Sequence, residues 1–194
     1  MDTIIVILIM FIFIKIYFSK NTTKKPIVKT TTKPIIAIAN INNMNGISGN
    51  IMFIQNNKID KNVLIEIDLT GLPKNSELGF HIHEAGDVTD MCKSACAHFN
   101  PYKTVHGGPT SKTRHVGDLG NIISDSNGNC KMKLIDHMIK LDNSIANIIG
   151  RSIVIHSKKD DFGLGTDKES LITGNAGSRI ACSIIGYSKK MFKN

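Results

Sequence analysis

The chain has 194 residues, 41% of them hydrophobic, and a formal net charge of +8, so it is long enough for one well-buried core but not for two full domains. Six lysines and one acid fall in residues 1–34, which leaves 18 basic and 15 acidic residues in 35–194. This small excess does not indicate a nucleic-acid interface, and no nucleic-acid partner is expected.

The chain begins with a hydrophobic segment, residues 1–20. Residues 3–14 form an unbroken apolar run, TIIVILIMFIFI, which continues past Lys15 to Phe18. Because no basic stretch precedes residues 3–18 and no small-residue cleavage site follows them, an uncleaved membrane anchor is favoured over a cleaved signal peptide; a buried strand is the third alternative. We therefore expect a membrane-anchored or secretory location, with the cytosol, or a host cytosol or virion if the source is viral, as the alternative.

Residues 21–34, NTTKKPIVKTTTKP, are rich in threonine, lysine and proline. Such a composition cannot build a core and is typical of an extended linker. The globular domain is predicted to cover residues 35–188, followed by a basic tail at 189–194.

The domain consists of short strand patterns separated by turn signals. Alternation is clearest at Val63, Ile65, Ile67 and Leu69, and it recurs from Cys130 onwards after the turn Asp125-Ser126-Asn127-Gly128. Further strands are predicted at 36–41, 49–54, 79–84, 151–156 and 179–187. Many short strands without a long amphipathic helix predict an antiparallel sandwich or barrel.

Two segments, about 86–117 and 157–177, have no strand pattern. Loops of this length inside a compact domain are usually functional or disordered. These two contain or border most of the histidines, so we predict that they carry the functional site.

Six of the seven histidines, with Asp118, are spaced as two overlapping metal sites. His81 and His83 lie two residues apart on a predicted strand, so both imidazoles face one side and can reach one metal. One set offers only imidazoles, which suit copper, and the other offers three nitrogens and a carboxylate, which suit a closed structural zinc site. The copper set is His81, His83, His98 and His156, and the zinc set is His98, His106, His115 and Asp118. His137 has no partner in this pattern and is interpreted as solvated.

His98 belongs to both sets. An imidazole that bridges two metals must be deprotonated on both nitrogens, which a single structural zinc site never requires. The shared histidine therefore indicates redox catalysis.

These residues stand in stretches that resemble the copper/zinc superoxide dismutase family. The stretches are GFHIHEAGD at 79–87, HFNP at 98–101, HGGP at 106–109, RHVGDLGN at 114–121, GR at 150–151 followed by His156, and TGNAGSRIAC at 173–182. The resemblance extends over about residues 35–188. It implies an all-β fold, an eight-stranded antiparallel Greek-key sandwich or flattened barrel with two long functional loops.

The resemblance also implies the activity and the site. Superoxide would be converted to dioxygen and hydrogen peroxide by alternating reduction and reoxidation of the copper, with His98 carrying a proton in each turnover. Arg179 would hold the superoxide anion beside the copper, because a guanidinium is always charged and offers a donor fork. Asp160 would link the copper ligand His81 to the zinc ligand His106. The expected partners are superoxide, a second copy of the chain and a copper donor.

The resemblance pairs Cys92 with Cys182 in a disulfide, which should stabilise the domain by roughly 4 kcal/mol. Cys96 departs from the family pattern, and it either competes for Cys182 or stays a free thiol. Cys130 is predicted to be buried in the core. Because the family keeps its disulfide in reducing compartments, the cysteines do not fix the location.

The second loop departs from the family pattern in its charges. Lys168 stands where relatives commonly have an acid, and Ile172 stands where they commonly have a lysine. We expect a rate that falls less steeply with salt than is typical of the family. Ser183 and Tyr187 lie in the segment by which family members usually dimerise.

The alternative function is a catalytically silent or copper-delivering metal-binding module of the same fold. Loss of copper ligands or of Arg179 would favour it, and all of these residues are present. A copper-delivering protein would also be expected to carry additional cysteines, and the C-terminal KKMFKN has none.

Overall fold

The computed structural model describes residues 33–56 and 61–192, so the predicted hydrophobic segment and nearly all of the predicted linker lie outside the described residues. The strands are β1 (Ile35–Met44), β2 (Ile47–Gln55), β3 (Val63–Thr70), β4 (Glu77–His83), β5 (Asp118–Ile123), β6 (Cys130–Asp136), β7 (Ser152–His156), β8 (Arg179–Ile184) and β9 (Gly186–Tyr187). The one α-helix described, α1, is the single turn Ser170–Thr173, and two 3-10 turns cover Lys93–Ala95 and Lys189–Phe192. None of the described helices is long and apolar enough to cross a membrane.

The strands form two antiparallel sheets, with the orders β6-β3-β2-β1-β9 and β5-β4-β7-β8. The chain changes sheets between β3 and β4 and again between β5 and β6, and β4 pairs with the distant β7. Such connections are typical of Greek-key sandwiches, so the predicted all-β fold is confirmed.

The strand count differs from the expected eight because the last predicted strand, 179–187, is divided. β8 pairs with β7 in one sheet and β9 pairs with β1 in the other. The chain changes sheets at Ile185, whose side chain is fully buried.

The core lies between the two sheets and is mostly aliphatic. In β3, Val63, Ile65, Ile67 and Leu69 are buried while Asp68 and Thr70 are exposed, as the alternation predicted. From the other sheet, Phe80 and Ile82 of β4 are fully buried. β4 is central in its sheet, so the side chains at its end are held on a rigid support.

Candidate metal centre

The six predicted histidines form two buried clusters that share His98. His81 and His83 extend from β4, and His156 ends β7 next to it. His98 is brought to the end of β4 by an antiparallel bridge to His83. The clusters are His81, His83, His98, His156 and His98, His106, His115, Asp118. His137 is exposed and belongs to neither cluster.

In the second cluster, three ring nitrogens converge on one carboxylate oxygen. Oδ1 of Asp118 lies 2.9, 3.0 and 3.1 Å from Nδ1 of His98, His106 and His115. The contact to His106 lacks hydrogen-bond geometry, so this buried nitrogen has no hydrogen-bond partner among the described residues. The other oxygen, Oδ2, accepts the backbone N–H groups of Gly107 at 3.1 Å and His115 at 2.8 Å. Three nitrogens and one oriented oxygen are a donor set that fits tetrahedral zinc.

In the first cluster, the ring nitrogens point towards one another, and no protein hydrogen-bond donor lies among them in the described residues. Nε2 of His83 lies 3.3 Å from Nε2 of His156. Nδ1 of His81 and Nε2 of His98 are buried and have no hydrogen-bond partner among the described residues. Because buried polar atoms without partners are rare and costly, these nitrogens fit a bound metal ion. Four imidazoles suit copper.

On the side away from the cluster, hydrogen bonds to backbone carbonyls fix the rings of His83 and His156. Nδ1 of His83 contacts the Cys96 carbonyl oxygen at 2.9 Å, and Nδ1 of His156 contacts the Gly177 carbonyl oxygen at 3.2 Å. Each contact places the proton on Nδ1 and leaves Nε2 free for a metal.

Asp160 connects the two clusters. Its carboxylate oxygens lie 2.9 Å from Nε2 of His81 and 2.8 Å from Nε2 of His106. Asn121 holds the backbone of Asp160 in place, since its side chain accepts the Asp160 N–H at 2.8 Å and donates to the Asp160 carbonyl oxygen at 3.0 Å. The predicted link between His81 and His106 is therefore present in the structure.

A fully buried arginine supports the turn that carries His115 and Asp118. Nη1 of Arg114 donates to the Asp118 carbonyl oxygen at 2.8 Å and to that of His115 at 3.2 Å. Nη2 pairs with the carboxylate of Asp136 on β6, which compensates the buried charge. This contact joins the turn to the opposite sheet.

The environment keeps three rings of the first cluster neutral. Burial, followed by the neighbouring imidazoles, lowers the pKa of His83 to about 2, of His156 to about 3 and of His98 to about 4. Neutral imidazole is the form that binds metals, so protons compete weakly at these positions. His106 behaves differently: burial alone would lower its pKa, but the close contact with the Asp118 carboxylate and the hydrogen bond to Asp160 outweigh burial and raise the pKa to about 9.

An open cavity of about 340 Å³ gives access to the first cluster. It is lined by His83, His98 and His156 together with Lys158, Glu169, Ile172 and Arg179. Arg179 lies opposite His156 in the pairing of β7 with β8. Its guanidinium donates to the carbonyl oxygens of Cys92 at 2.6 Å, Lys93 at 3.1 Å and Cys96 at 2.5 Å. The loop that carries these carbonyls thus fixes a positive charge at the cavity wall.

The match to a known family agrees with this geometry. Residues 47–185 match the family model described as copper/zinc superoxide dismutase. The chain belongs to the copper/zinc superoxide dismutase family.

The alignments of this chain with named relatives extend over nearly the whole length of each relative. The chain is 50% identical over 188 residues to the superoxide dismutase [Cu-Zn] of Paramecium bursaria Chlorella virus 1, covering 97% of this chain and 95% of that one. It is 46% identical over 152 residues to the superoxide dismutase [Cu-Zn] of Saccharomyces cerevisiae, covering 78% of this chain and 97% of that one. A crystal structure of the clock protein EA4 is similar with a TM-score of 0.75 and 44% identity, over 81% of this chain and 97% of that one.

The disulfide implied by the family resemblance is present. Cys92 and Cys182 are bonded, across 90 positions of the sequence. Of the two free cysteines, Cys130 is buried as predicted and Cys96 is exposed. Cys96 is therefore a free thiol in this structure, four residues from the bonded Cys92.

Sequence reasoning missed two residues that this member of the superoxide dismutase family uses to position Asp160. Asn121 lies in the RHVGDLGN stretch and Gly174 in the TGNAG stretch. Both stretches carried the resemblance, but neither residue type binds these metals. Only the folded arrangement shows that Asn121 binds the backbone of Asp160 and that Gly174 lies against its carboxylate.

Proposed function

We propose that the chain dismutates superoxide to dioxygen and hydrogen peroxide. Copper would be held by His81, His83, His98 and His156, and zinc by His98, His106, His115 and Asp118. The observation that carries the proposal is the pair of unpartnered buried nitrogens, Nδ1 of His81 and Nε2 of His98, in a cluster that opens to a charged cavity. Copper, when bound, supplies the one-electron chemistry.

His98 is placed to handle a proton. Its Nδ1 contacts Asp118 at 2.9 Å, while Nε2 has no hydrogen-bond partner among the described residues. His98 also lines the cavity through which a substrate would arrive. Nε2 can therefore hold a proton and donate it to the reduced substrate, and it is the catalytic proton carrier.

Arg179 is placed to bind the anion. Its carbonyl contacts hold the guanidinium at the wall of the same cavity as His83, His98 and His156. A fixed cation that costs no reorganisation attracts and orients superoxide. Asp160 acts as a positioning residue, since it contacts His81 and His106 and not the cavity.

The test combines metal analysis with a superoxide assay on the wild type, His81→Ala and the control His137→Ala. His137 is exposed and outside both clusters, so its replacement should leave copper content and activity unchanged. His81→Ala should lose copper and activity together. Wild-type protein that binds copper and zinc but shows no turnover would instead support a silent or copper-delivering module.

The chain is also proposed to form a homodimer. Ile184 of β8 and Tyr187 of β9 are 44% and 49% exposed, and together with Ser183 they lie in the segment that the family resemblance implies for dimerisation. Exposed apolar side chains on adjoining strand ends are available for such an interface. Sedimentation should give twice the chain mass for the wild type and a monomer for Ile184→Glu.

A membrane-anchored or secretory location is proposed from residues 3–18, with the cytosol or a virion as the alternative. The support is the apolar run alone. N-terminal sequencing and fractionation of the natural protein test this. An intact N-terminus in the membrane fraction supports an anchor, a mature chain that begins after residue 20 supports a signal peptide, and an intact soluble chain contradicts both.

A further inference from the structure

Three sulfur atoms meet beside the metal centre. Sδ of Met44 lies 3.5 Å from Sγ of Cys92 and 3.9 Å from Sγ of Cys182. The Cys182 N–H also donates to this Sδ at 3.3 Å. The two cysteines form a small buried apolar cluster with Ala95 and Val154, and Met44 packs against both this cluster and the main core. The metal sites described above use none of these sulfurs.

The position of Met44 is fixed by the hairpin between β1 and β2. The backbones of Asn43 and Asn45 on either side of it are left-handed, with φ of 52° and 53°. The Asn45 side chain donates to the Ile180 carbonyl oxygen of β8 at 2.8 Å. The hairpin tip is thus attached to the strand that carries Cys182, and this attachment holds the thioether against both cysteine sulfurs.

We propose that these three sulfurs form a binding site for monovalent copper when the disulfide is reduced. Thiolate and thioether ligands select Cu(I) over harder ions. With metal–sulfur bonds of about 2.3 Å, a trigonal site requires sulfurs about 4.0 Å apart. The distances of 3.5 and 3.9 Å from Met44 already approach this separation. Only the two cysteine sulfurs must move apart, and opening their bond frees both side chains to rotate.

The reaction balances with a cellular thiol as the reductant. Two thiols reduce the bond between Cys92 and Cys182 and are themselves oxidised to a disulfide. Cu(I) then displaces the two cysteine protons and keeps its oxidation state. The resulting set carries one negative charge, and Arg179, which donates to the Cys92 carbonyl oxygen at 2.6 Å, supplies a nearby positive charge.

The site adds copper acquisition to the proposed dismutation and does not depend on it. The loop from Cys92 leads within four residues to Cys96, whose carbonyl oxygen contacts Nδ1 of His83 at 2.9 Å. Only the four-residue segment from Cys92 to Cys96 would therefore separate copper bound at the sulfurs from the imidazole cluster.

The test uses the full chain with zinc loaded into both histidine clusters in the disulfide form and free zinc then removed. The protein is reduced without oxygen and titrated with Cu(I) against a chromophoric Cu(I) chelator. X-ray absorption at the copper edge counts sulfur neighbours. The variants are Met44→Leu, Cys96→Ser and the control Met132→Leu, which removes a partly buried thioether of β6 that accepts the Ile123 N–H of β5.

The reduced wild type should hold one Cu(I) with three sulfur neighbours, and the disulfide form should hold none there. Met44→Leu should weaken binding at least about tenfold and leave two sulfurs, while Cys96→Ser and Met132→Leu should bind like the wild type. Unchanged binding in Met44→Leu, loss of binding in Cys96→Ser, or a shell without sulfur overturns the proposal. Superoxide turnover of the copper- and zinc-loaded disulfide form is measured separately, so a failure of the dismutase function is distinguished from a failure of the sulfur site.

Discussion

Gly174 leaves the space that the carboxylate of Asp160 occupies. A Cβ atom at position 174 would lie 1.9 Å from Oδ1 of Asp160 and 2.4 Å from Nε2 of His106. Gly174 also has a φ of +65°, which a residue with a side chain rarely adopts. The contact between Asp160 and His106 therefore depends on the absence of a side chain on a neighbouring residue.

Gly174→Ala should displace Asp160 and release the ring of His106. Loss of such an outer partner typically lowers metal affinity by about 10- to 100-fold, so zinc should dissociate correspondingly more readily. Competition with a zinc chelator measures this. Gly150→Ala is the control, because Gly150 has a similar φ of +82° with no atom within 4 Å of its added Cβ. Equal zinc loss in both variants would mean that backbone strain, and not the displaced carboxylate, is responsible.

The sequence predicted the side chains of the two clusters better than the strands and packing contacts that surround them. The spacing of six histidines and Asp118 identified every member of both clusters, because residue type limits which side chains can bind copper or zinc. β5 was missed: Leu119 and Gly120 are both buried, so Asp118–Ile123 lacks the alternation that reveals a half-exposed strand. The contact of Met44 with the disulfide could not be foreseen, since it depends on how one hairpin tip meets a strand 138 positions away.

Ile172→Lys should make the rate more sensitive to salt. Ile172 is 56% exposed and lines the cavity that contains His83 and Arg179. A lysine there adds attraction for an anion, so the rate at low ionic strength should be higher than in the wild type. It should then fall more steeply as salt is added. Leu171→Lys is the matched control: Leu171 is 46% exposed but does not line this cavity. If both lysines change the salt dependence equally, net charge is the cause and the cavity has no special role.

Replacing Cys92 and Cys182 by serine together should destabilise the metal-free protein by about 4 to 5 kcal/mol, the loop-closure value for a crosslink across 90 positions. Urea unfolding of both proteins in the absence of metal gives the difference. Cys96→Ser removes an exposed free thiol and should change the free energy of unfolding by less than about 0.5 kcal/mol. A loss below about 1 kcal/mol in the double variant would show that the open chain is already constrained without the crosslink.

Asp125 should make stability depend on pH through the turn between β5 and β6. Its carboxylate accepts the N–H groups of Asn129 and Asn127, both at 2.8 Å, and these hydrogen bonds lower its pKa in the folded state. The unfolded chain has the ordinary pKa of about 3.9. The contribution is therefore fully present above this pKa and is lost as the pH falls through the lower folded pKa.

Asp125→Ala should accordingly lower the melting temperature of the metal-free protein at pH 6 by roughly 2 °C, and the gap to the wild type should shrink as the pH falls from 5 to 3. Asp125→Asn is the control, because its amide oxygen still accepts the turn N–H groups without a titrating charge. Its gap to Asp125→Ala should stay constant with pH. A gap between wild type and Asp125→Ala that is the same at pH 3 and pH 6 would show that the turn is held by the shape of the side chain and not by its ionisation.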